Sequence, residues 1–477
     1  METDIHPPAD CSAVYSAEPA SQPGWMRMEQ PVPVFPGPHL LLDDALILSA
    51  SGIVRKVVQP RRDPVIPNPL VTGAEDRCFQ PFFTVSGRPE DGRWRLWYGS
   101  WRDDQSFNRS YLRYMESDDG IHWLRPARIC DTPELQFGAS VLDRGPQWRD
   151  SRTRYVYNYW FEGGMRILAS ADGLTWRPLV DGIVLPHNHD INNIWRDPIR
   201  DRYVATVSWH RESPRWNGRR RTTLQSHSPD LVHWSAPEIV LMADPEKGDP
   251  GVTQFYAMSG HQARGPLVIA MVKVLRDDLK AAGSVPEAFG RAHTSLAWTR
   301  DGRHWVRDQA MYFEPDDDPS AWDHAHAWID EQVIVGDRTR LYYAGYRQGH
   351  KAERFTGRQI GLVEIARDRY VARQATGEGL LETVPLEVNR CPSALTINAV
   401  VAGEVRAQIL DADGRPLPGL GFAECRPVSG DGLRLPLLWG DEAATSRGLS
   451  ALAGRKIRLA FRLREADLYA FEFQGPA

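Results

Sequence analysis

SADGLTW, residues Ser170–Trp176, is the segment on which the fold turns, because the sequence repeats it. ESDDGIHW ends at Trp123, SPDLVHW at Trp234 and TRDGRHW at Trp305, so successive tryptophans stand 53, 58 and 71 residues apart. An Asp-Gly pair between two strand-like runs signals a tight turn. Asp119-Gly120, Asp172-Gly173 and Asp301-Gly302 supply it, and the third copy has Asp230-Leu231 instead. A carboxylate in such a turn bonds backbone N–H groups, so these aspartates read as structural.

Outward from each turn lie runs rich in β-branched and aromatic residues, such as Phe79–Val85, Arg93–Trp101 and Ser110–Ser117 before Trp123. The same threefold pattern precedes the other turns, and a last set, Ala325–Gly336, Arg340–Arg347 and Gln359–Arg367, lacks the turn. Three strands plus one starting at the tryptophan make a four-stranded antiparallel unit, and such units repeated about an axis form a β-propeller. The expected fold is all-β: an irregular arm at 1–35, a five-bladed β-propeller at 36–385 and a C-terminal β-sandwich at 386–477, where strands lengthen and alternate. Asp43–Val58 is strand-like but has no blade of its own, so it is expected to supply the outer strand of the fifth. The repeated tryptophans are expected to wedge between sheets.

Composition narrows the function classes. The chain has 477 residues, 57 basic and 62 acidic side chains, and a net charge of -5, which gives no basic footprint for nucleic acid or anionic lipid. Its five scattered cysteines form no C-x-x-C pair, so neither a disulfide framework nor a cysteine zinc site is expected. The acidic, proline-rich start does not read as a secretory signal, and no apolar run is long enough to span a membrane, so a cytoplasmic location is expected. Tryptophan is over-represented, with 17 copies against 15 phenylalanines and 15 tyrosines.

The recurring S-x-D-G-x-x-W turns resemble those of the five-bladed propeller glycosidases of glycoside hydrolase families 32, 43 and 68. LLLDDALI at Leu40–Ile47 and LDADGRPLPG at Leu410–Gly419 look like segments of uncharacterised family-32-like bacterial proteins. The resemblance implies a glycosidase acting on a neutral oligosaccharide or glycoside, such as a fructoside or arabinoside. Sialidase Asp boxes are the runner-up, but they carry a residue between Asp and Gly that is missing here.

In a propeller the first strand of each blade lines the axis, which restricts the candidate residues to the blade entries. Glycosidic cleavage needs one carboxylic acid to protonate the leaving oxygen and one carboxylate as base or nucleophile. Asp190 and Asp323 are the preferred pair, with Asp249 as a third carboxylate. Glu75, Arg77, Gln80, His189, Asn193, Trp209, His210, Gln254, Tyr256, Trp322, His324 and His326 are the expected substrate contacts. His324 and His326, two apart on a strand, could hold a metal with His189 or Asp190; the plainer reading is hydrogen bonding to sugar hydroxyls. No metal and no cofactor are therefore assigned, and self-association into a homo-oligomer is left open. Two other classes stay in view: a phosphorylase, like the related five-bladed enzymes of family 130, and a non-catalytic sugar-binding propeller. Arginines and histidines facing one carboxylate, rather than two opposed carboxylates, would favour the phosphorylase.

Overall fold

The computed structural model describes residues 31–88, 92–106, 109–286 and 288–475, so most of the expected arm at 1–35 lies outside the described residues. The chain divides into two compact units, one built on 60–335 and 340–364 and the other on 31–59, 336–339 and 365–475. Among the described residues no helix is long and apolar enough to cross a membrane.

In the first unit Cys78–Arg88, Arg93–Trp101, Ser110–Ser117 and Arg128–Ile129 form an antiparallel meander. The pattern recurs with Phe137–Asp143, Tyr155–Trp160, Gly164–Ser170 and Arg177–Pro178, and again with Asn192–Asp197, Arg202–Ser213, Trp216–Ser228 and Glu238–Leu241. A fourth set is Thr253–Arg264, Leu267–Arg276, Arg291–Thr299 and Val306–Arg307; the last is His326–Val335, Arg338–Tyr346 and Arg358–Ala366, joined to the fourth by one parallel bridge, Ala292 to His326. The first strands follow one another in cyclic order. Cys78–Arg88 packs beside Phe137–Asp143, which packs beside Asn192–Asp197, then Thr253–Arg264, then His326–Val335, which returns to Cys78–Arg88.

The repeated turns share one construction. Asp172 Oδ1 accepts from Leu174 N and Thr175 N at 2.8 Å, and Ser170 Oγ accepts from Gly173 N at 2.9 Å. Asp119, Asp230 and Asp301 repeat it. Three turn carbonyls also accept a donor from the preceding sheet: Gly173 from the Trp97 indole at 2.8 Å, Gly302 from Gln225 Nε2 at 2.8 Å, and Gly120 from the Tyr342 hydroxyl at 3.0 Å. Trp123, Trp176 and Trp305 are buried in the packing between strands, as expected, while Trp234 is half-buried.

The expected closing strand is replaced by another segment. Asp43–Val58 does form strands, Ile47–Ser51 and Val54–Val57, but both pair with Val371–Thr383 in the second unit. The free edge of Arg358–Ala366 is met by 61–71, through bridges from Arg61 to Glu364 and Val71 to Ile360. Asn68 fastens this segment by donating to Leu362 O and accepting from Leu362 N, both at 2.8 Å. Pro64, Pro67 and Pro69 lack N–H groups, so a continuous ladder cannot form and an amide side chain substitutes.

The second unit begins near 365 rather than 386 and includes 31–59. Its strands are linked by backbone hydrogen bonds into one nine-stranded sheet. Ala394–Asp411 and Lys456–Gln474 are long antiparallel partners interrupted by register shifts at Asn398/Ala399 and Val401/Glu404, where the strands bend. Leu395, Ile397, Leu459, Phe461, Leu463 and Phe471 lie in its buried core.

Candidate functional site

The segment HNHD before Asn192–Asp197 places His189 and Asp190 at the entry to the third sheet. His189 is buried, and its Nε2 lies 3.1 Å from Asp190 Oδ1, on a carboxylate that keeps 25% side-chain exposure. Arg221, from the third strand of that sheet, donates through Nε to the same His189 Nε2 at 3.0 Å. A guanidinium can only donate, so Nε2 is the unprotonated nitrogen of a neutral imidazole. That one lone pair is taken up by the Arg221 N–H, and Asp190 Oδ1 lies beside it.

Arg221 extends the network. Its Nη1 donates to Gln254 Oε1 at 2.7 Å, Gln254 Nε2 donates to Asp277 Oδ2 at 2.6 Å, and its guanidinium lies 4.8 Å over the Tyr256 ring. His210 stands edge-on to His189 with centroids 4.4 Å apart, and its backbone N–H and carbonyl are both bonded to Asn188 at 3.0 Å. Tyr256 stacks on Trp328 at 4.7 Å and meets His350 edge-on at 5.0 Å. The connection 347–357 brings His350, Lys351 and Arg354; Arg358 follows it, donating to the His350 carbonyl at 2.5 Å and lying 4.0 Å over Tyr346.

Electrostatics follow from this crowding of cations. Burial, then Arg221 and the neighbouring histidines, hold His189 well below the usual imidazole range. Burial and Arg221 do the same to His350, and His210 is pulled down to about 3 by burial, then Arg221. Burial and Arg358 lower Arg354, with Tyr256 and Asp190 acting in the opposite direction, and burial followed by Asp190 raises Tyr256. Near neutral pH the imidazoles are uncharged, and the positive charge comes from the guanidiniums and Lys351.

Of the residues expected from sequence, the structure gathers His189, Asp190, His210, Gln254 and Tyr256. His326 joins their edge, stacking on Tyr346 at 4.4 Å with Nε2 2.9 Å from the Gly290 carbonyl. The preferred carboxylate pair is not reproduced as two equivalents. Asp323 is buried and bound to Arg62 at 2.7 Å and the Tyr343 hydroxyl at 2.9 Å, partners distinct from those of Asp190. Asp249 is buried in an ion pair with Arg307 and accepts from Asp244 N at 2.9 Å. Each has its charge balanced by a neighbouring arginine, as burial requires.

Other expected contacts have structural partners too. Trp209 packs in the apolar core with Val156, Met165 and Leu224 rather than offering a stacking face. Trp322 stacks on Tyr343 at 5.2 Å. His324 Nδ1 is engaged by the Asp316 carbonyl at 2.6 Å, so His324 and His326 are held apart, and among the described residues no cluster of His, Cys, Asp or Glu is placed to bind a metal. Arg77 lies 4.6 Å over Trp101 and pairs with Asp103, Glu75 is exposed, and Asn193 is half-buried, paired with Thr206 across the sheet. Gln80 is in a strand, but its side chain lies outside the described residues.

Restricting candidates to blade entries misses Arg221, Asp277, His350, Lys351, Arg354 and Arg358. The runs Arg219-Arg220-Arg221 and QGHKAERFTGR at Gln348–Arg358 are the visible signal.

No family profile matches the chain. An uncharacterised protein of Mycobacterium tuberculosis (strain CDC 1551 / Oshkosh) is 31% identical over 100 residues, 19% of this chain and 31% of that protein; a second, from strain ATCC 25618 / H37Rv, is 33% identical over 99 residues. The chain thus spans about a third of the curated relatives it matches. Among solved structures, an N-acetylgalactosamine deacetylase from F. plautii is 15% identical with TM-score 0.43, covering 67% of this chain and 97% of its own. A structure from a family of mannoside phosphorylases that contains glycoside hydrolases is 15% identical with TM-score 0.43, covering 65% and 94%. A β-1,2-mannobiose phosphorylase from Listeria innocua is 13% identical with TM-score 0.40, covering 65% and 96%.

Proposed function

We propose that the cyclic sheets are a five-bladed propeller whose mouth cleaves a glycosidic bond, with Asp190 as the general acid. The reading rests on one observation: a partly exposed carboxylate stands against the neutral imidazole of His189, beside a group of buried arginines. A protonated Asp190 would deliver its proton to the leaving oxygen as the C–O bond breaks. Because Asp323 and Asp249 are each buried against an arginine, the acceptor is read as inorganic phosphate rather than water activated by a second carboxylate. Arg221, Arg354, Arg358 and Lys351 supply the positive charge that a phosphate dianion needs. A phosphate oxygen attacks the anomeric carbon, the alcohol departs with the Asp190 proton, and a glycosyl phosphate remains. The sugar is a neutral glycoside; a furanoside is the form implied by the sequence resemblance.

The test is turnover of a panel of aryl glycosides and neutral disaccharides with and without inorganic phosphate, following sugar phosphate by mass spectrometry. Phosphate-dependent turnover that is lost in Asp190→Asn supports the reading. Equal turnover without phosphate assigns hydrolysis, and no turnover on any substrate in either condition leaves the sugar-binding propeller as the reading to adopt.

A further inference from the structure

A cavity of about 350 Å³ lies within the C-terminal unit, at the lower end of the range for small-molecule sites. Phe35 and Phe473 form apolar walls, and Arg390, Arg434, Glu472 and Gln474 bring polar groups to the same space. We infer that this cavity is a binding site for a neutral saccharide, separate from the Asp190 cluster and with no bond-making role.

The walls are held in place before any ligand arrives. Phe35 follows Val32–Pro33, which pairs with Leu386–Glu387, and Val34 N donates to Glu387 O at 2.8 Å. Its ring stacks on His39 at 3.9 Å, and His39 stacks on Phe471 at 4.8 Å, so an ordered column of rings backs the wall. The opposite side is a strand end: Ser393 N donates to Gln474 O at 2.7 Å and Phe473 is in the core. Rigid aromatic walls lower the ordering cost of binding.

The polar groups select the ligand class. Arg434 Nε and Glu472 Oε2 pair at 3.1 Å, presenting donors and an acceptor side by side. Gln474 adds an amide, which both donates and accepts. Adjacent hydroxyls of a sugar ring need this mixture, and the ring's C–H face suits an aromatic wall. An anion would meet the Glu472 carboxylate, and a purely apolar ligand would take the Arg434–Glu472 pair out of water without offering it a hydrogen bond.

Cys391 lines the cavity and is exposed, whereas Cys78, Cys130 and Cys425 are buried, so its alkylation reports occupancy without reference to catalysis. The rate of Cys391 modification by iodoacetamide, resolved by peptide mass spectrometry, is measured in the full chain with mannobiose, xylobiose, arabinobiose or glucuronate. At least one neutral disaccharide is expected to slow it about fivefold at several times its Kd. Phe35→Ala and Arg434→Gln should each remove that protection without shifting the thermal transition by more than the substitution itself does in the absence of sugar. The inference is overturned if no neutral disaccharide protects, if glucuronate protects more strongly, or if both variants stay fully protected. Loss of glycoside turnover in Asp190→Asn leaves this protection unchanged, which separates failure here from failure of the catalytic reading.

Discussion

Asp190 and Asp323 illustrate how residues of one type acquire different tasks. Asp323 is enclosed by Arg62 and Tyr343, whereas Asp190 keeps a quarter of its side-chain surface exposed beside the Arg221-bonded imidazole of His189. Asp190→Asn is therefore expected to lower turnover about a hundred- to ten-thousand-fold with little change in thermal stability, the range of a lost general acid. Asp323→Asn should do the reverse, costing about 1–3 kcal/mol of stability by leaving Arg62 imperfectly paired. Steady-state kinetics and thermal melts on both variants check the contrast; a large stability loss in Asp190→Asn would assign that residue a structural role. The candidate list from sequence contained both aspartates because their local surroundings look alike: each precedes a strand and neighbours histidines. The groups that set these surroundings, Arg221 on the neighbouring His189 in one case and Arg62 and Tyr343 in the other, are distant in the chain and leave no local mark.

At the scale of the element, the repeated turn was the most legible feature. Its aspartate, glycine and tryptophan lie within a few residues, and their bonds are made inside that span. Gly173 has φ of +77°, and a Cβ there would lie 2.8 Å from the Trp97 ring. Gly173→Ala is expected to cost about 1–3 kcal/mol, measured by denaturant unfolding, since it combines left-handed strain with a clash across the sheet boundary. The third turn puts a leucine at the same position: Leu231 is buried at φ +73°, and its carbonyl accepts from its own Trp234 indole at 2.9 Å, as that of Gly173 does from Trp176 at 3.1 Å. The turn carboxylates also set acid behaviour. Burial opposes ionisation of Asp301, but its bonds to His304 and the backbone outweigh that and depress it to about 2. Its folded value lies below the unfolded one, so its stabilisation is present above the unfolded carboxylate range and is lost as pH falls towards 2.

For the whole molecule, ring closure and buried histidines give two further tests. Asn68 holds the closing segment through both backbone groups of buried Leu362, so Asn68→Ala is expected to cost about 1–3 kcal/mol, read as a lowered thermal midpoint. His187 is buried and depressed to about 3, mainly by burial; His261 and His293 are likewise near 3. Their folded values lie below the unfolded imidazole value, so the unfolded chain binds more protons between those limits and stability falls as pH drops below about 6.5. For His187 this amounts to about 2 kcal/mol at pH 5. A thermal midpoint that stays flat from pH 7 to 5 would show that these imidazoles take up protons in the folded state as readily as in the unfolded chain.

By itself the sequence determined the strands, the repeated turns and the all-β character, because alternation and turn chemistry act over a few residues. It also placed His189, Asp190, Gln254 and Tyr256 at sheet entries and His210 at a strand end. Tertiary structure alone decided that 61–71 rather than Asp43–Val58 meets the open edge of Arg358–Ala366, since strand pairing is a competition among distant edges. It alone brought Arg221, Arg354 and Arg358 to the candidate acid, because a charge's effect depends on distance and burial in space, and residues far apart in the chain become neighbours only when the ring is formed.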